Sequence, residues 1–428
     1  MSVTRPRGTN DVLPDQSYKW QIVEAKIREI CHNFGYQELR TPIFEHTELF
    51  ERGIGETTDI VEKEMYTFID RGNRSMTLRP EGTAPVVRAF LENKLYAQAM
   101  PAKVYYLGAM FRYERPQAGR YRQFTQFGVE ALGSSDPMLD VEMITLPIKV
   151  YQACGLEGFK VHINSIGCPD CRPAYRKALQ DKFLAQQEAF CMTCQGRIER
   201  NPLRVLDCKV KECQSLLADI PLVTESLCKN CGDHFAQVRT YLDQLDVKYV
   251  INPKLVRGFD YYTKTVFEII VPTLGSQNAI GGGGRYDGLV AECGGEPQPA
   301  VGFAVGLERV LLSLAQKETT VFQAPKPDLF LAQFGGATKD VAIALAHKLR
   351  DQGLWVELDY MGKSLRAQMK VANKLNCLGV IVIGEDEVAQ NRAKLRKMST
   401  SEEIEIDLNH VEQVEQAVVK LREGQVLA

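Results

Sequence analysis

The sequence predicts a multidomain chain in which a mixed helix-and-strand body is interrupted by a cysteine-rich insertion and followed by a small α/β domain. Three observations carry that expectation. The length of 428 residues exceeds one ordinary domain. Eight of the twelve cysteines fall between Cys168 and Cys231, in a polar, helix-patterned stretch set between strand-rich segments. Beyond Pro325-Lys326-Pro327, strands alternate with helices of the lengths found in small α/β domains.

Composition narrows the class. Hydrophobic residues make up 45% and charged residues 25%, the mixture of a soluble globular protein. No stretch approaches the ~18 uninterrupted apolar residues of a membrane span. The start, Met1-Ser2-Val3-Thr4-Arg5-Pro6-Arg7, lacks the apolar centre of a secretory signal, so a cytoplasmic location is expected. A net charge of -2 lacks the basic excess common among nucleic-acid binders, and such a partner would be met only locally.

From the N-terminus, Ile22, Val23, Ile27, Ile30 and Cys31 recur at helical spacing over 20–34, and Gly35 ends the run. Arg40-Thr41-Pro42-Ile43-Phe44 reads as extended, because the residue before a proline avoids the α region. Residues 103–110 and 124–132 have strand patterns joined by the charged stretch 112–122, a β-hairpin with a basic tip. The insertion covers roughly 165–235. Strand pattern resumes at Leu255 and runs through 260–271. On composition, the glycine run Gly281–Gly284 reads as a flexible loop. Residues 301–306 pass from a short strand into a helix over 307–312. In the last domain, strands at 328–334, 354–358 and 378–383 alternate with helices at 339–350 and 365–375, which predicts parallel pairing.

Several segments concentrate chemistry. The hairpin tip sets Arg112, Arg115, Arg120 and Arg122 beside Tyr113, Glu114 and Tyr121. Arginine's planar fork of donors matches phosphate and carboxylate oxygens two at a time. Alternation along a strand puts Arg112 and Glu114 on one face, and Gln126 and Glu130 on one face of the return strand. Arg79-Pro80-Glu81-Gly82-Thr83 adds an acid in a turn bounded by proline and glycine. Arg257-Gly258-Phe259-Asp260-Tyr261-Tyr262 gathers a cation, an acceptor and hydroxyls in one span. Gly306-Leu307-Glu308-Arg309 places an arginine in the first turn of an apolar helix. The glycine run lacks the spacing and downstream acid of a dinucleotide fingerprint. Taken singly, each segment has an ordinary alternative: a solvated turn, a loop, core tyrosines, a surface arginine.

The cysteines form three C-x-x-C pairs, Cys168/Cys171, Cys191/Cys194 and Cys228/Cys231. Without a secretory signal, such pairs suggest metal or redox chemistry rather than a disulfide framework. Cys191, Cys194, Cys228 and Cys231 are candidates for the four thiolates of a structural Zn2+, with Cys168/Cys171 and Cys208/Cys213 as rival ligands.

Together these segments resemble the class II aminoacyl-tRNA synthetases. The hairpin from Phe111 to Glu130 is similar to their motif 2, and Gly302-Phe303-Ala304-Val305-Gly306-Leu307-Glu308-Arg309 to motif 3. Thr41-Pro42-Ile43-Phe44-Glu45 looks like motif 1, whose proline lies at the dimer interface in that family. Leu255 to Tyr262 and Gly282-Gly283-Gly284-Arg285-Tyr286-Asp287 look like the two histidine-specific motifs, which narrows the resemblance to the histidyl-tRNA synthetase family. It runs from Arg7-Gly8-Thr9-Asn10-Asp11 into the last domain.

That resemblance implies an α+β catalytic domain with an antiparallel sheet flanked by helices, plus an inserted domain and a C-terminal α/β anticodon-binding domain. The catalytic domain would occupy 1–165 and 241–322, the insertion 166–240 and the anticodon-binding domain 326–428. The implied reaction joins histidine to ATP as histidyl-adenylate, releases pyrophosphate, and passes histidine to the 3′ end of tRNA(His). A homodimer and Mg2+ are implied as well. Arg112 and Arg257 would be catalytic, with Arg112, Glu114 and Arg309 on ATP. For histidine, Glu130 and Tyr262 would meet the ring, and Glu81, Gly82, Thr83 and Gln126 the α-amino side. Arg112 and Arg257 would flank its carboxylate, with Tyr121 and Tyr261 lining the pocket. Lys394-Leu395-Arg396-Lys397 is a basic cluster suited to phosphates or simply to solvent.

Two rivals share the fold. One is the non-catalytic, synthetase-like regulatory subunit of a short ATP phosphoribosyltransferase, which tends to lack the intact histidine motifs and the last domain. The other is a class II synthetase for proline, threonine or glycine. Arg257, Tyr261, Tyr262 and Arg309, with the α/β domain after residue 325, speak against the first, and the Arg257-Gly258-Phe259-Asp260-Tyr261-Tyr262 segment against the second.

Overall fold

The computed structural model describes residues 3–55, 58–316, 321–336 and 338–423, with backbone alone at 275–277. The outer ends of the first and last expected domains, 1–2 and 424–428, lie outside the described residues. The chain divides into two compact units, Met1–Phe322 and Gln323–Ala428. Among the described residues no helix is long and apolar enough to cross a membrane.

In the larger unit the strands are β1 (Gln37–Glu38), β2 (Phe44–His46), β3 (Tyr66–Ile69), β4 (Ser75–Leu78), β5 (Ala102–Phe111) and β6 (Gln123–Leu132). They continue as β7 (Lys160–Ser165), β8 (Tyr249–Ile251), β9 (Thr263–Ile270), β10 (Ala279–Arg285) and β11 (Ala300–Gly306). Eight of them form one sheet in the order β1-β5-β6-β11-β10-β9-β7-β8. Its centre is antiparallel, and the short edge strands β1 and β8 pair in parallel. The expected hairpin is β5–β6, in register from Ala102↔Leu132 to Phe111↔Gln123. Strands β2-β4-β3 make a small antiparallel sheet beside it.

The two faces of the large sheet bury different chemistry. Helices Pro14–Asn33 and Pro137–Ala153 contribute Val23, Ile27, Ile144 and Tyr151 to an apolar core with Phe127, Phe267 and Phe303. Helix Thr83–Glu92 contributes Val86, Val87 and Phe90 to a second cluster, with Tyr106, Tyr261, Tyr262 and Tyr286. This tyrosine-rich side carries the candidate site.

Gly281–Gly284 is not a loop but the middle of β10, paired on both sides. A Cβ on Gly282 would lie 2.6 Å from the Phe267 carbonyl oxygen and 2.7 Å from Arg257 Nη1. The glycines are there for close approach by neighbours, not for chain flexibility. The strand expected to begin at Asp260 begins at Thr263, because 258–261 turn, with the Asp260 N–H bonded to the Ile54 carbonyl at 3.3 Å.

The insertion follows β7 and has its own small core, including Tyr175, Leu179, Phe183, Ile198 and Val205. Helix Lys229–Gln244 returns Phe235, Val238 and Leu242 to the main core, so the expected boundary at 240 falls within a helix of the main body. The fold corrects the expected zinc ligand set. Cys168 and Cys171 sit before helix Arg172–Leu184, and Cys228 and Cys231 open helix Lys229–Gln244, so the two ends of the insertion bring these four thiols together. Cys191 and Cys194 open helix Met192–Arg200 and meet Cys208 and Cys213 instead. Cys191, Cys194, Cys228 and Cys231 therefore do not form one site.

The second unit holds β12 (Leu329–Gln333), β13 (Val356–Leu358), β14 (Gly379–Ile383), β15 (Arg392–Lys397) and β16 (Glu403–Asp407), in the order β13-β12-β14-β15-β16. The first three pair in parallel, as the alternating pattern predicts, and β15 and β16 add antiparallel strands. The basic run lies on β15, where Lys394 pairs with Glu403 at 3.4 Å and Lys397 is buried.

Arg285 ties the sheet to helix Pro137–Ala153. It is fully buried, its Nε lies 3.2 Å from each oxygen of Asp140, and Nη1 donates to the Ser134 carbonyl at 2.9 Å. Removing one member of a buried, hydrogen-bonded ion pair leaves the other uncompensated. Arg285→Met is expected to lower stability in urea denaturation by about 3–5 kcal/mol, and a loss below about 1 kcal/mol would show that this pair does not hold the helix.

Candidate active site

Backbone hydrogen bonds fix the course of the hairpin tip. The Arg112 N–H bonds the Arg122 carbonyl at 3.0 Å, the Tyr113 N–H bonds Glu64 at 2.7 Å, and the Arg122 N–H bonds Gly8 at 2.7 Å. From that base, Arg112 Nε donates to the Pro80 carbonyl at 2.8 Å, with Nη1 3.8 Å from Glu114 Oε1. The rings of Phe124 and Phe259 lie 5.3 and 5.9 Å from its guanidinium carbon, which limits its swing. The other oxygen of Glu114 lies 3.1 Å from Arg120 Nε. Arg309, in the first turn of helix Leu307–Leu314, donates from Nε to Gly119 at 3.0 Å and from Nη1 to Ala279 at 2.7 Å. Burial lowers its pKa, and nearby Arg120 and Arg112 lower it further. Guanidiniums held this close are each stabilised by an incoming anion.

Below the arginines lies a layer of buried acids. Glu81 accepts the Thr83 N–H at 2.6 Å and the Ala84 N–H at 2.8 Å, at the N-terminus of helix Thr83–Glu92. Burial nevertheless raises its pKa. Thr83 Oγ1 donates to Glu130 Oε1 at 2.7 Å, and the Tyr286 hydroxyl donates to Glu130 Oε2. Burial pushes Glu130 up to about 8 against the pull of those two hydroxyls. Gln126 accepts from the Tyr106 hydroxyl at 3.3 Å.

The opposite wall is the loop before β9. Arg257 Nη1 donates to Glu268 Oε1 at 2.9 Å, while its buried Nε has no hydrogen-bond partner among the described residues. Tyr261 stacks on Phe259 at 5.1 Å and meets Tyr262 at 4.6 Å. The insertion holds this loop through Arg204 to the Gly258 carbonyl at 2.7 Å, Asn201 to Asp260 at 3.0 Å, and Arg172 to the Tyr262 carbonyl.

These walls enclose a cleft of about 620 Å³. Glu81, Thr83, Arg112, Glu114, Tyr121, Gln126, Arg257, Tyr261, Tyr262 and Arg309 all line it. Two expected residues do not. Glu130 is fully buried beneath the wall, with both oxygens engaged. Gly82 is packed against Tyr106, where a Cβ would collide with the ring. Lining residues that carried no expected role include Arg120, Glu268, Tyr286 and Glu308. Glu308 accepts the Thr125 N–H at 2.7 Å, and burial pushes it up to about 7. Tyr286 and Glu308 sat inside quoted motifs, but Glu268 had no local signal, because its partner is eleven positions away across a turn. The cleft thus offers several guanidiniums for a polyanion at one end and a tyrosine-walled polar pocket for a small molecule at the other. The carboxylates beside the arginines, Glu114 and Glu268, are hard oxygen donors of the kind Mg2+ takes.

The family model for histidyl-tRNA synthetase matches residues 8–310, and that for an anticodon binding domain matches 328–417. A histidine–tRNA ligase from Desulforamulus reducens is 53% identical, covering 96% of this chain and 98% of its own length. One from Pelotomaculum thermopropionicum is 51% identical, covering 96% and 97%. The crystal structure of a histidyl-tRNA synthetase from S. aureus superposes with a TM-score of 0.81 at 38% identity, covering 96% of this chain and 99% of that one.

The buried acid makes stability depend on pH. Glu130 has a folded pKa raised from 4.5 to about 8, so between these values the folded state binds the extra proton and loses stability as pH rises. Glu130→Gln removes that loss. The variant's melting temperature minus the parent's should therefore increase from roughly pH 5 to pH 9, and a difference that stays constant would contradict the burial of a free carboxyl there.

Proposed function

The chain belongs to the histidyl-tRNA synthetase family, and from that premise we propose how its residues divide the work. The activity is that of a histidine–tRNA ligase: histidine and ATP give histidyl-adenylate and pyrophosphate, and histidine then passes to tRNA(His). The observation that carries the division of labour is the meeting of Arg112 and Arg257, from separate elements, in one cleft with Arg309.

In the first step a histidine carboxylate oxygen attacks the α-phosphorus of ATP. Both reactants are anionic, so fixed cations must offset their repulsion and the charge that grows on the phosphoryl oxygens. Arg112 holds the α-phosphate and the carboxylate together. Arg257 faces the same phosphorus from the other wall, and its unpartnered Nε supports that role. Arg309 takes the γ-phosphate. Glu114 helps to shape the triphosphate and would hold Mg2+, which would supply further positive charge there. In the second step the ribose of the terminal adenosine attacks the acyl carbon and AMP leaves.

Glu81, Thr83 and Gln126 receive the α-amino group, and Tyr261 and Tyr121 wall the pocket. Tyr262 and Glu130 serve the imidazole ring, Glu130 exchanging one of its hydroxyl donors for a ring N–H. A pocket whose polar groups are satisfied only by the right ring discriminates strongly against analogues lacking its nitrogens. In the second unit, the anticodon-binding domain meets unpaired tRNA bases by edge contacts and stacking. We place the protein in the cytoplasm as a homodimer joined near Pro42, a reading supported by exposed Ile43, Phe44, Phe68 and Ile69 around the small sheet.

The regulatory-subunit alternative has less support, since all three arginines are in place and the last domain is present. Purified protein is expected to exchange pyrophosphate into ATP with histidine and with no other amino acid of a panel. Absence of exchange from a folded, Mg2+-supplied sample would sink the catalytic reading and favour that alternative.

A further inference from the structure

The insertion contains two clusters of four cysteines that the aminoacylation chemistry does not use. In the first, Cys168, Cys171, Cys228 and Cys231 bring their sulfurs within 4.8 Å of one another, and in the second Cys191, Cys194, Cys208 and Cys213 do the same. We propose that each cluster is a tetrathiolate Zn2+ site, two per chain, that stabilises the insertion and through it the wall carrying Arg257 to Tyr262.

Geometry favours a single tetrahedral ion over the other fates of clustered thiols. Zn–S bonds of about 2.3 Å at tetrahedral angles separate the sulfurs by about 3.8 Å. The sulfur separations are 3.6 Å for Cys168–Cys171, 3.9 Å for Cys168–Cys228, 3.8 Å for Cys171–Cys231 and 4.0 Å for Cys191–Cys208. A disulfide would need about 2.05 Å, and all eight are free thiols. A multi-iron cluster would spread its four thiolates around a larger inorganic core than these distances enclose. Four sulfurs without an imidazole or carboxylate are a soft donor set that suits zinc and closes its coordination.

The backbone agrees. Cys171, Cys191 and Cys228 each occupy the N-cap of a helix, where the unpaired N–H groups and the helix dipole favour a thiolate. The Cys168 N–H points at Cys171 Sγ at 3.2 Å, and the Cys191 N–H at Cys213 Sγ at 3.3 Å, as expected where amides support metal-bound sulfur. The insertion core is small, and small cores commonly depend on a metal or covalent staple.

The first site ties the two ends of the insertion together directly before Arg172, which donates to the Tyr262 carbonyl. The second fixes the segment containing Asn201 and Arg204, which hold Asp260 and Gly258. Cys191, Cys194 and Cys208 also line the cleft itself. Zinc is thus placed to position the wall of the histidine pocket.

The test is metal analysis of the full-length protein purified under reducing conditions without chelator. Two zinc per chain are expected, falling to one in Cys228→Ser/Cys231→Ser and to one in Cys208→Ser/Cys213→Ser. X-ray absorption on the parent protein decides the matter even if the variants fail to fold, and should show four sulfurs at about 2.3 Å and no nitrogen or oxygen ligand. One zinc or none, bound iron in place of zinc, or these cysteines recovered as disulfides by mass spectrometry would overturn the proposal.

Discussion

The architecture depends on a strip through the centre of the sheet where side chains are missing. Glu130 on β6 lies opposite Gly302 on β11, and a Cβ on Gly302 would occupy the space of the Glu130 carboxylate. One strand further, Gly282 clears room for Arg257. Close packing leaves no other place for these groups, since interiors tolerate few voids and little overlap. The bare strip therefore lets an acid lie under the cleft and a guanidinium lie across it. The tyrosine cluster closes around both.

Charge is layered above that strip. Arginines line the cleft, and acids support them from below or from the side, in the pairs Arg257–Glu268 and Arg120–Glu114. The acids orient the cations without cancelling them, because each guanidinium keeps donors to spare. Arg285 shows the contrasting arrangement. Its fork is spent on Asp140, Ser134 and Asp136, so it holds the fold and has nothing left for a ligand.

Much of this was legible in the sequence, for identifiable reasons. The hairpin, the final strand-to-helix turn and the alternating last domain are signalled by local period and punctuation, and they form as expected. The arginines were recognisable only as a set, since each alone had an ordinary alternative and the order of the segments along the chain carried the resemblance. What escaped was set by partners distant in the chain. Glycine in β10 answers to Arg257 and to the carbonyls of β9, so composition alone suggested a loop. The burial of Glu130 depends on Tyr286, 156 positions away. The C-x-x-C spacings identified the cysteine pairs but not which pair meets which, since that follows from where helices Met192–Arg200 and Lys229–Gln244 begin in space.

The role proposed for Arg112 and Arg257 is to stabilise charge that develops during attack on the α-phosphorus. Rapid-quench measurement of adenylate formation, with histidine and ATP saturating, tests it most directly. Replacing Arg257 with alanine should slow that step by about 10²–10³-fold, with the dissociation constant for histidine shifted far less. An unchanged rate with only weaker histidine binding would mean that Arg257 holds the ground state alone, and the claim would be wrong.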